Sequence, residues 1–480
     1  MSAQQSERFN KIFQHDGSQN IRGVLTTETG YLLVSDSYEA DLWGSQILAL
    51  DFYGDEIWRK SYRFYPFGHG VGLNSVLIDS KGDFWFCGWN GSVDSSYNFI
   101  FKFSQLGDSL FLSNSKSETY VYWDMIESKS ADLVITGAWI NDSNYGNTAL
   151  IKCDTSGIEL WSKSFDFSAS THEYGRTLVE TPDGGFIIGA LVSSLTSNDS
   201  DPWIIKTDSQ GNMEWNRLIN NSIWNDGYAA VHMGSDGFIY VGCGSGIGLN
   251  GQNETINKNY FAKISLNNEM IWERAFGPVN ASNPIAQIME DRHGNIIGVA
   301  DVFFDLNGVS EQGGLLLKVS PEGDSLWSKT FIYEYNTSLV GRDYCWSLDT
   351  TMDGGIITGG FVQLYDTNGG YPFQDVWAVK FDSNGCFDDV YSCPVGIEEI
   401  STAEYRDLKI WPNPNDGRFS IEKLSPVTEI QIIDVLGRST PFIVEDSYSI
   451  KLLETKPGIY FIHILSKEYE YCGTIMVSDD

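Results

Sequence analysis

The chain has 480 residues, of which 42% are hydrophobic and 20% are charged. Aromatic residues make up 14%, including 15 tryptophans, which excludes a disordered chain and is enough for a large buried core. The 64 acidic residues against 31 basic ones give a formal charge of −33, a field that repels phosphate backbones and anionic lipid headgroups. We therefore expect no nucleic-acid partner. Because no apolar run is long enough to cross a bilayer, we expect no direct membrane insertion.

The N-terminal residues, Met1 to Arg8, contain no apolar stretch and do not form a signal peptide as they stand. Residues 2–5, Ser-Ala-Gln-Gln, resemble the residues around a signal-cleavage site. We therefore expect the true N-terminus to lie upstream of Met1.

From residue 9 onward the sequence repeats. An aromatic anchor recurs seven times at intervals of 49 to 57 residues, and between anchors a glycine turn precedes a short apolar strand, as in Gly185–Gly189. Each unit holds four strand candidates and no sustained helical period. A repeat of this length with four strands is typical of a β-propeller blade. The anchors are Phe9, Trp58, Phe111, Trp161, Trp215, Trp272 and Trp327.

The first and last units complement each other. Phe9–Phe13 has the alternation of an outer strand but no inner strands before it, whereas Val376–Gly385 lacks an outer strand after it. The N-terminal strand is thus predicted to complete the last blade and close the ring, which leaves no open sheet edge. We predict an all-β, seven-bladed β-propeller over residues 1–394.

Residues that recur once per blade are predicted to be packing elements rather than ligand contacts. The anchors and a lysine on each third strand fall in this class. The Asp-x-x-Gly turns are predicted to be hairpins in which the aspartate accepts backbone N–H groups and the glycine takes a positive φ. The lysines are Lys102, Lys152, Lys206, Lys263, Lys318 and Lys380, and the turn aspartates are Asp51, Asp154, Asp208 and Asp382.

The repeats resemble secreted bacterial β-propellers of the WD-like and quinoprotein-like kind, and Ala49–Trp58 is particularly similar to a quinoprotein blade motif. The resemblance implies architecture only, because quinoprotein dehydrogenases carry adjacent cysteines and no two cysteines are adjacent in this sequence. We expect no cofactor.

Strand order assigns the loops to two faces. The glycine turns and Asp-x-x-Gly hairpins are tight and share one face, whereas the long connections lie on the other. Loops of varied length on one face of a rigid scaffold are typical of a binding face. Aromatic rings beside polar groups suit a sugar, and equally a protein epitope. The candidate ligand contacts are Tyr65, His69, His172, Tyr174, Trp224, Asp226, Tyr335, Arg342 and Asp343, with Glu173 and Tyr333 beside them.

Catalysis has less support. The six histidines lack metal-ligand spacing, so no metal site is predicted, and neither a nucleophile elbow nor a phosphate loop occurs. Carboxylate pairs such as Asp199 and Asp201, or Asp388 and Asp389, are expected at the solvated surface of so acidic a chain. No catalytic residue is assigned. The leading interpretation is a binding or adhesion module for glycan or surface protein. The alternatives are a carbohydrate-active hydrolase or lyase with carboxylates in the propeller funnel, and a structural surface-layer component.

Cys386 and Cys393 lie seven residues apart where the last blade ends, among seven cysteines in all. A disulfide between them would pin the closing strand, and it suits an exported protein. Cys87 and Cys243, in or beside apolar strands, are predicted to be buried and inert.

After Pro394 the repeat disappears. Residues 395–405 form a polar linker, and residues 406–480 are predicted to form a small Ig-like β-sandwich of five to seven short strands. From residue 405 onward there are 8 basic and 12 acidic residues, a net charge of −4, which leaves −29 for the first 404 residues. The acidity therefore belongs mainly to the propeller.

Three ordered motifs stand in this C-terminal segment. Pro412, Asn413 and Pro414 precede Gly417, Asp434–Arg438 contains Gly437, and Pro457–Phe461 contains Gly458 and Tyr460. In order and spacing they are similar to the type A sorting domain of the type IX secretion system of Bacteroidetes. The last strand departs from that family, because Glu470–Thr474 lacks the usual basic residue.

The resemblance implies a precursor that carries a Sec signal and crosses the outer membrane through the type IX translocon, its expected partner. The protein would then be secreted or anchored at the outer-membrane surface.

Overall fold

In a computed structural model, the described residues between Phe9 and Val477 form 36 strands. The structure describes residues 8–14, 17–39, 42–62, 71–92, 95–115, 120–140, 146–195, 200–219, 225–249, 255–281, 284–306, 309–333, 341–364, 374–387, 406–422, 427–434, 440–445, 449–453, 456–466 and 470–478. All regular structure within these ranges is β. The described residues contain no helix that is long and apolar enough to span a membrane. The chain divides into two compact units, Met1–Pro394 and Val395–Asp480, which are described separately.

The first unit contains 28 strands in the described ranges. They are β1 (Phe9–Phe13), β2 (Ser18–Thr27), β3 (Gly30–Glu39), β4 (Leu42–Leu50), β5 (Glu56–Tyr62), β6 (Val71–Ile78), β7 (Phe84–Ser92), β8 (Ser95–Phe103), β9 (Ser109–Ser115), β10 (Tyr120–Glu127), β11 (Leu133–Ile140), β12 (Gly146–Cys153), β13 (Glu159–Phe165), β14 (Thr171–Glu180), β15 (Phe186–Ser194), β16 (Ser200–Thr207), β17 (Met213–Leu218), β18 (Ala230–Met233), β19 (Ile239–Leu249), β20 (Thr255–Ile264), β21 (Met270–Ala281), β22 (Gln287–Glu290), β23 (Ile296–Leu306), β24 (Val309–Val319), β25 (Ser325–Phe331), β26 (Gly341–Thr350), β27 (Ile356–Leu364) and β28 (Gln374–Phe381).

These strands form antiparallel sets of four. Five are separate sheets, which we call blade A (β2–β5), blade B (β6–β9), blade C (β10–β13), blade D (β14–β17) and blade E (β18–β21). Blade F (β22–β25) and blade G (β26–β28 with β1) are joined into one sheet by a single parallel bridge between Gln312 and Arg342. In blade G, β1 pairs with β28 from Phe9 opposite Lys380 to Phe13 opposite Val376.

The first strands of the blades meet in a cycle. Each of β2, β6, β10, β14, β18 and β22 contacts the first strand of the next blade, and β26 contacts β2. A Ser347 hydroxyl accepts from the Val24 N–H at 3.1 Å across the junction between blades G and A. The predicted all-β, propeller-like fold is confirmed, because such a cycle leaves no open end in the array.

The anchor aromatics tie each blade to the next. A Cβ on Gly211, whose φ is +77°, would lie 2.6 Å from the Trp161 ring of the preceding blade. A Cβ on Gly54 of blade A would likewise lie 2.7 Å from the Phe9 ring of blade G. The Trp215 indole N–H donates to the Leu266 carbonyl of the next blade at 2.9 Å. The prediction that the anchors are packing elements is confirmed.

The recurring lysines form ion pairs with the glycine turns. Lys318 Nζ lies 2.7 Å from Asp291 Oδ2 with both side chains buried, and Lys206 pairs with Asp183 at 3.1 Å. Burial alone would raise the pKa of Asp183. Hydrogen bonds from Thr181, Gly185 and Lys206 outweigh this effect and lower the pKa to about 2. Equivalent pairs join Lys102 to Asp79, Lys152 to Asp132, Lys263 to Asp236 and Lys380 to Asp353.

The Asp-x-x-Gly hairpins are built as predicted. The Asp154 carboxylate accepts from the N–H groups of Ser156 and Ile158, both at 2.9 Å, and Gly157 has a φ of +72°. The other three aspartates of this set each accept two backbone N–H groups in the same way. These aspartates therefore stabilise turns.

The long connections expected on the binding face include Cys243–Lys258 and Val299–Gly313, and both of these segments are largely strand. β19 continues to Leu249, and β23 and β24 form one long hairpin in which Leu306 pairs with Val309. Apolar and polar residues alternate too weakly there for a strand to be recognised from sequence.

Among the described side chains, four cysteines are free and buried, which agrees with the prediction for Cys87 and Cys243; the others are Cys153 and Cys345. Burial raises the pKa of the Cys87 and Cys243 thiols well above the usual range, so both are inert. Cys386 is disulfide-bonded. Its predicted partner, Cys393, lies outside the described residues, so that pairing stays a prediction.

The second unit has eight strands in the described ranges, in two sheets. One sheet has the order β29-β36-β35-β32 and the other β30-β31-β34-β33. Phe419 and Ile450 of the second sheet share one buried cluster with Ile462 and Ile475 of the first. The predicted linker, 395–405, lies outside the described residues. The strands are β29 (Arg406–Asp407), β30 (Ile410–Trp411), β31 (Arg418–Ile421), β32 (Val427–Asp434), β33 (Phe442–Val444), β34 (Ser449–Leu452), β35 (Gly458–Ser466) and β36 (Glu470–Val477).

Candidate functional site

A cavity of about 740 Å³ lies among the first strands of the blades. It is lined by residues of β2, β6, β10, β14, β22 and β26, and by Tyr228 just before β18. Its volume is within the range of sites that hold small ligands. The cavity is therefore the candidate site.

The wall of the cavity is built from β-bulges. In β14 the pairing passes from Gly175 opposite Ala190 to Thr177 opposite Gly189, so Arg176 is the extra residue. A bulge redirects the side chain of the extra residue. Four other first strands have their bulge at the equivalent residue, and all five residues line the cavity. The other four are Arg22, Asn74, Trp123 and Trp346.

Arg176 lies between two aromatic rings. Its guanidinium carbon is 3.9 Å from the Trp123 ring centroid and 4.7 Å from the Tyr228 ring centroid. Both rings thus pack against the guanidinium, and the positive charge of Arg176 lowers the pKa of Tyr228 and of Asp124. Within the described ranges, no carboxylate oxygen lies within 4 Å of this guanidinium.

Arg22 is the second cation of the wall. Its Nε donates to Asp36 Oδ2 at 2.8 Å, and its guanidinium carbon lies 5.7 Å from the Trp346 ring centroid. The other Asp36 oxygen accepts from the Leu73 N–H at 2.7 Å. Burial raises the pKa of Asp36 to about 6, against the lowering effect of Arg22.

Three carboxylates line the cavity, and each one joins neighbouring blades. Asp124 accepts from the Ser75 hydroxyl at 2.7 Å and the Leu178 N–H at 2.8 Å. Asp301 accepts from the Cys345 N–H at 2.7 Å and the Trp346 indole N–H at 3.1 Å. Asp349 accepts from the Thr26 N–H at 2.6 Å. Burial raises the pKa of Asp124 and of Asp349 to about 6.

The site residues predicted from sequence are spread over several blades. His172 and Tyr174 lie in β14, with ring centroids 6.1 Å apart, and the His172 Nδ1 accepts from the Gly146 N–H at 3.3 Å. Glu173 between them is buried, and burial raises its pKa to about 7. Arg342, the second residue of β26, is exposed.

Asp226 and Asp343 are buried and bind backbone. Asp226 accepts from the Gly246 N–H at 2.5 Å, and Asp343 accepts from the Tyr333 N–H at 2.6 Å. Both carboxylates hold the backbone that carries neighbouring loops. Four other predicted contacts lie outside the described residues: Tyr65, His69, Trp224 and Tyr335.

The sequence did not predict Arg22, Trp123, Arg176, Tyr228 and Trp346 as site residues. The residue type at the bulge position differs from unit to unit, so no repeated motif marks it in the sequence. Across the described ranges, no group of three or more His, Cys, Asp or Glu side chains is arranged to hold a metal ion.

In the second unit, the first sorting motif is fixed to the last strand. The Asn413 side chain donates to the Thr474 carbonyl and accepts from the Met476 N–H, both at 2.7 Å. Gly417, with a φ of +93°, donates its N–H to the Asn415 side chain at 2.8 Å. The buried Tyr460 donates its hydroxyl to the Lys456 carbonyl at 2.8 Å. Pro412 and Pro414 flank Asn413, and Gly458 begins β35, whereas Gly437 lies outside the described residues.

The secretion system C-terminal sorting domain family matches residues 409–478. The prediction of a type IX sorting signal is therefore confirmed, and this signal indicates secretion through the type IX system.

No curated protein is similar to this chain in sequence. Among solved structures, the chain is similar to an ulvan lyase, a polysaccharide lyase bound to -[GlcA(1-4)Rha3S]-, at 9% identity and a TM-score of 0.50 over 78% of this chain and 96% of that one. It is also similar to the polysaccharide lyase Uly1, at 12% identity and a TM-score of 0.45 over 80% and 93% of the two chains. A Bacteroides caccae protein of unknown function matches at 14% identity and a TM-score of 0.37 over 66% and 96%. At these identities the first likeness speaks for the fold alone.

Proposed function

We propose that the chain is an exported type IX cargo of a Bacteroidetes bacterium whose first unit binds a glycan, or alternatively a surface protein. Residues 1–394 form a seven-bladed propeller completed by the N-terminal strand, residues 395–405 a linker, and residues 406–480 an Ig-like sorting domain. The observation that carries the binding function is the cavity, whose wall combines four aromatic side chains with two arginines. Apolar ring faces beside polar groups are what sugar recognition requires.

The loops around the cavity are proposed to extend the binding surface. His172, Tyr174 and Arg342 are candidate contacts there, together with Tyr65, His69, Trp224 and Tyr335. Asp226 and Asp343 contribute by holding the loop backbone. We therefore expect the ligand to contact both the cavity and these loops.

The geometry of the cavity favours binding over catalysis. The oxygens of Asp124 and Asp301 already accept from groups of the neighbouring blades, which suits a structural role better than proton transfer. Burial raises the pKa of Tyr228, although Arg176 lowers it, so Tyr228 is a poor general base. A hydrolase or lyase is the second candidate function, favoured by Asp349, whose pKa of about 6 is within the range of a general acid.

Export supplies the context of the proposed function. The second unit is expected to engage the type IX translocon, after which the propeller is either released or anchored at the outer-membrane surface. Either position would expose the propeller to extracellular glycans and proteins.

A glycan array tests the carbohydrate form of this proposal. The full chain, labelled on lysine, is expected to bind a subset of glycans, and Trp224→Ala to weaken the signal. Trp411→Ala is the matched control, because Trp411 is an exposed tryptophan of the second unit. Binding of no glycan by the unsubstituted chain would contradict the carbohydrate form. An unchanged signal with Trp224→Ala would remove that residue from the site.

A further inference from the structure

We propose that the cavity is a subsite for an acidic sugar unit, a pyranose that carries a carboxylate or a sulfate. This inference rests on the proposed glycan-binding function and names the class of glycan. Four features of the wall support it.

The first feature is the cation without an ion-pair partner. The first 404 residues carry a net charge of −29, and the described arginines and lysines on the outer strands are mostly engaged with acidic groups or carbonyls. Arg176 differs, because no carboxylate oxygen of the described residues lies within 4 Å of its guanidinium, although its charge lowers the pKa of Asp124. An anionic ligand would supply the missing charge through two parallel hydrogen bonds.

The second feature is a second guanidinium on the same wall. Arg22 uses Nε for Asp36, and its side chain is 27% exposed. Asp36 fixes the orientation of Arg22, so its two terminal nitrogens are held in place at the cavity wall. Two arginines on one wall favour an anion over a neutral sugar.

The third feature is the set of aromatic rings. Trp123 and Trp346 come from blades C and G, and Tyr228 lies before blade E. Arg176 occupies one side of the Trp123 and Tyr228 rings, so the C–H face of a pyranose would pack against the aromatic surface that Arg176 leaves open. A bare inorganic anion would leave these surfaces unused, whereas a sugar carrying the anionic group would use both rings and arginines.

The fourth feature is the state of the lining carboxylates. Asp124, Asp301 and Asp349 direct their oxygens at N–H and O–H donors of adjacent blades. Their charge is thus partly compensated by the protein itself. The two arginines remain the main charged groups with donors available to a ligand.

Calorimetric titration of the full chain distinguishes the two possible anionic groups. The probes are an oligogalacturonate for carboxylate, a sulfated carrageenan oligosaccharide for sulfate, and a neutral galacto-oligosaccharide of the same length. We expect one or both anionic probes to bind at least ten times more tightly than the neutral one. Arg176→Gln should weaken binding of the anionic probe at least tenfold, and Arg176→Lys less than that, since Lys keeps the charge but loses the bidentate fork.

Arg274→Gln is the matched control. It removes one positive charge from the outer strand β21, where Arg274 pairs with the exposed Asp324 at 2.8 Å, and should change affinity less than twofold. If Arg176→Gln fails to fold, the salt dependence of the unsubstituted chain decides, because affinity for the anionic probe must fall as NaCl is raised.

Equal affinity for neutral and anionic probes, or salt-independent binding, would overturn the subsite and leave the proposed glycan binding intact. Equal weakening by Arg176→Gln and Arg274→Gln would also overturn it. Binding of no oligosaccharide here and no glycan on the array would overturn both proposals.

Discussion

The periphery of the propeller and the wall of its cavity follow opposite rules. At the periphery, the same residue type recurs at the same strand position in blade after blade, as Lys206 and Lys318 do, and each copy makes the same contact. On the cavity wall, equivalent bulge positions carry Arg22, Trp123 and Arg176 in turn. Positions where the same residue type recurs therefore identify the residues that hold the ring together. Equivalent positions where the residue type varies identify the residues available to a ligand. Substitutions at the two kinds of position should behave differently.

The largest effect is expected from Asp291→Ala at the periphery. Lys318 would remain buried without its carboxylate partner, and breaking a buried ion pair costs about 3–5 kcal/mol. Chemical denaturation of the full chain measures this loss. Asp324→Ala is the control, since its ion pair with Arg274 is exposed and contributes at most about 1 kcal/mol. Equal destabilisation by the two substitutions would contradict the structural role of the recurring lysines.

Gly211→Ala tests the contact between neighbouring blades. Its positive φ costs an L-residue about 1–2 kcal/mol, and its Cβ would meet Trp161 at 2.6 Å, which adds an overpacking cost of about 1–3 kcal/mol. Gly237→Ala isolates the first cost, because its φ is +84° and nothing lies within 4 Å of the added Cβ. If both substitutions lower the free energy of unfolding equally, the Trp161 contact is not part of the junction.

Asp349→Asn should show a characteristic pH dependence. The folded pKa of about 6 is raised above the unfolded value, so the stability that Asp349 contributes is present below pH 4 and is lost as pH rises through 6. Relative to the unsubstituted chain, Asp349→Asn should therefore gain up to about 3 kcal/mol of unfolding free energy between pH 3.5 and 7.

Asp154→Asn is the control of opposite sign. A hydrogen bond from the Ser156 side chain, with others from the backbone, lowers the pKa of Asp154. The stability that Asp154 contributes is thus present above its unfolded pKa and lost in acid. Urea denaturation from pH 3.5 to 7 follows both variants, and parallel curves would contradict the assignment.

The smallest effect on stability is expected from Arg176→Gln on the cavity wall. The side chain loses its contacts with Trp123 and Tyr228, and cation–π contacts of this kind contribute about 1 kcal/mol. Thermal denaturation should show a melting temperature within a few degrees of the unsubstituted chain. A loss comparable to that of Asp291→Ala would place Arg176 among the residues that hold the ring.

Much of the scaffold was predictable from sequence because repetition makes packing residues visible. The anchors, the recurring lysines and the hairpin aspartates are repeated in the sequence and in the structure. The pairing of β1 with β28 was likewise expected from the unpaired first and last units. The motifs around Asn413 and Tyr460 were predicted because they are specific to one kind of sorting domain.

The cavity wall was not predictable for a physical reason. A bulge exists only relative to a partner strand, so Arg176 becomes the extra residue through the register of β14 against β15, which a single strand does not encode. Residue type alone suggested ligand contacts on the loops, so the predicted site lay there. Trp123 and Trp346 were not predicted as contacts, because they lie within strands.

A crystal structure of the full chain with the tightest-binding oligosaccharide would show whether the cavity is the ligand site. We expect a sugar in the cavity, with its anionic group within about 3.2 Å of the Arg176 guanidinium, the outer limit of a hydrogen bond, and with its ring against Trp123 or Trp346. A sugar bound on the outer strands beside the recurring lysines, with the cavity filled by water alone, would contradict this expectation.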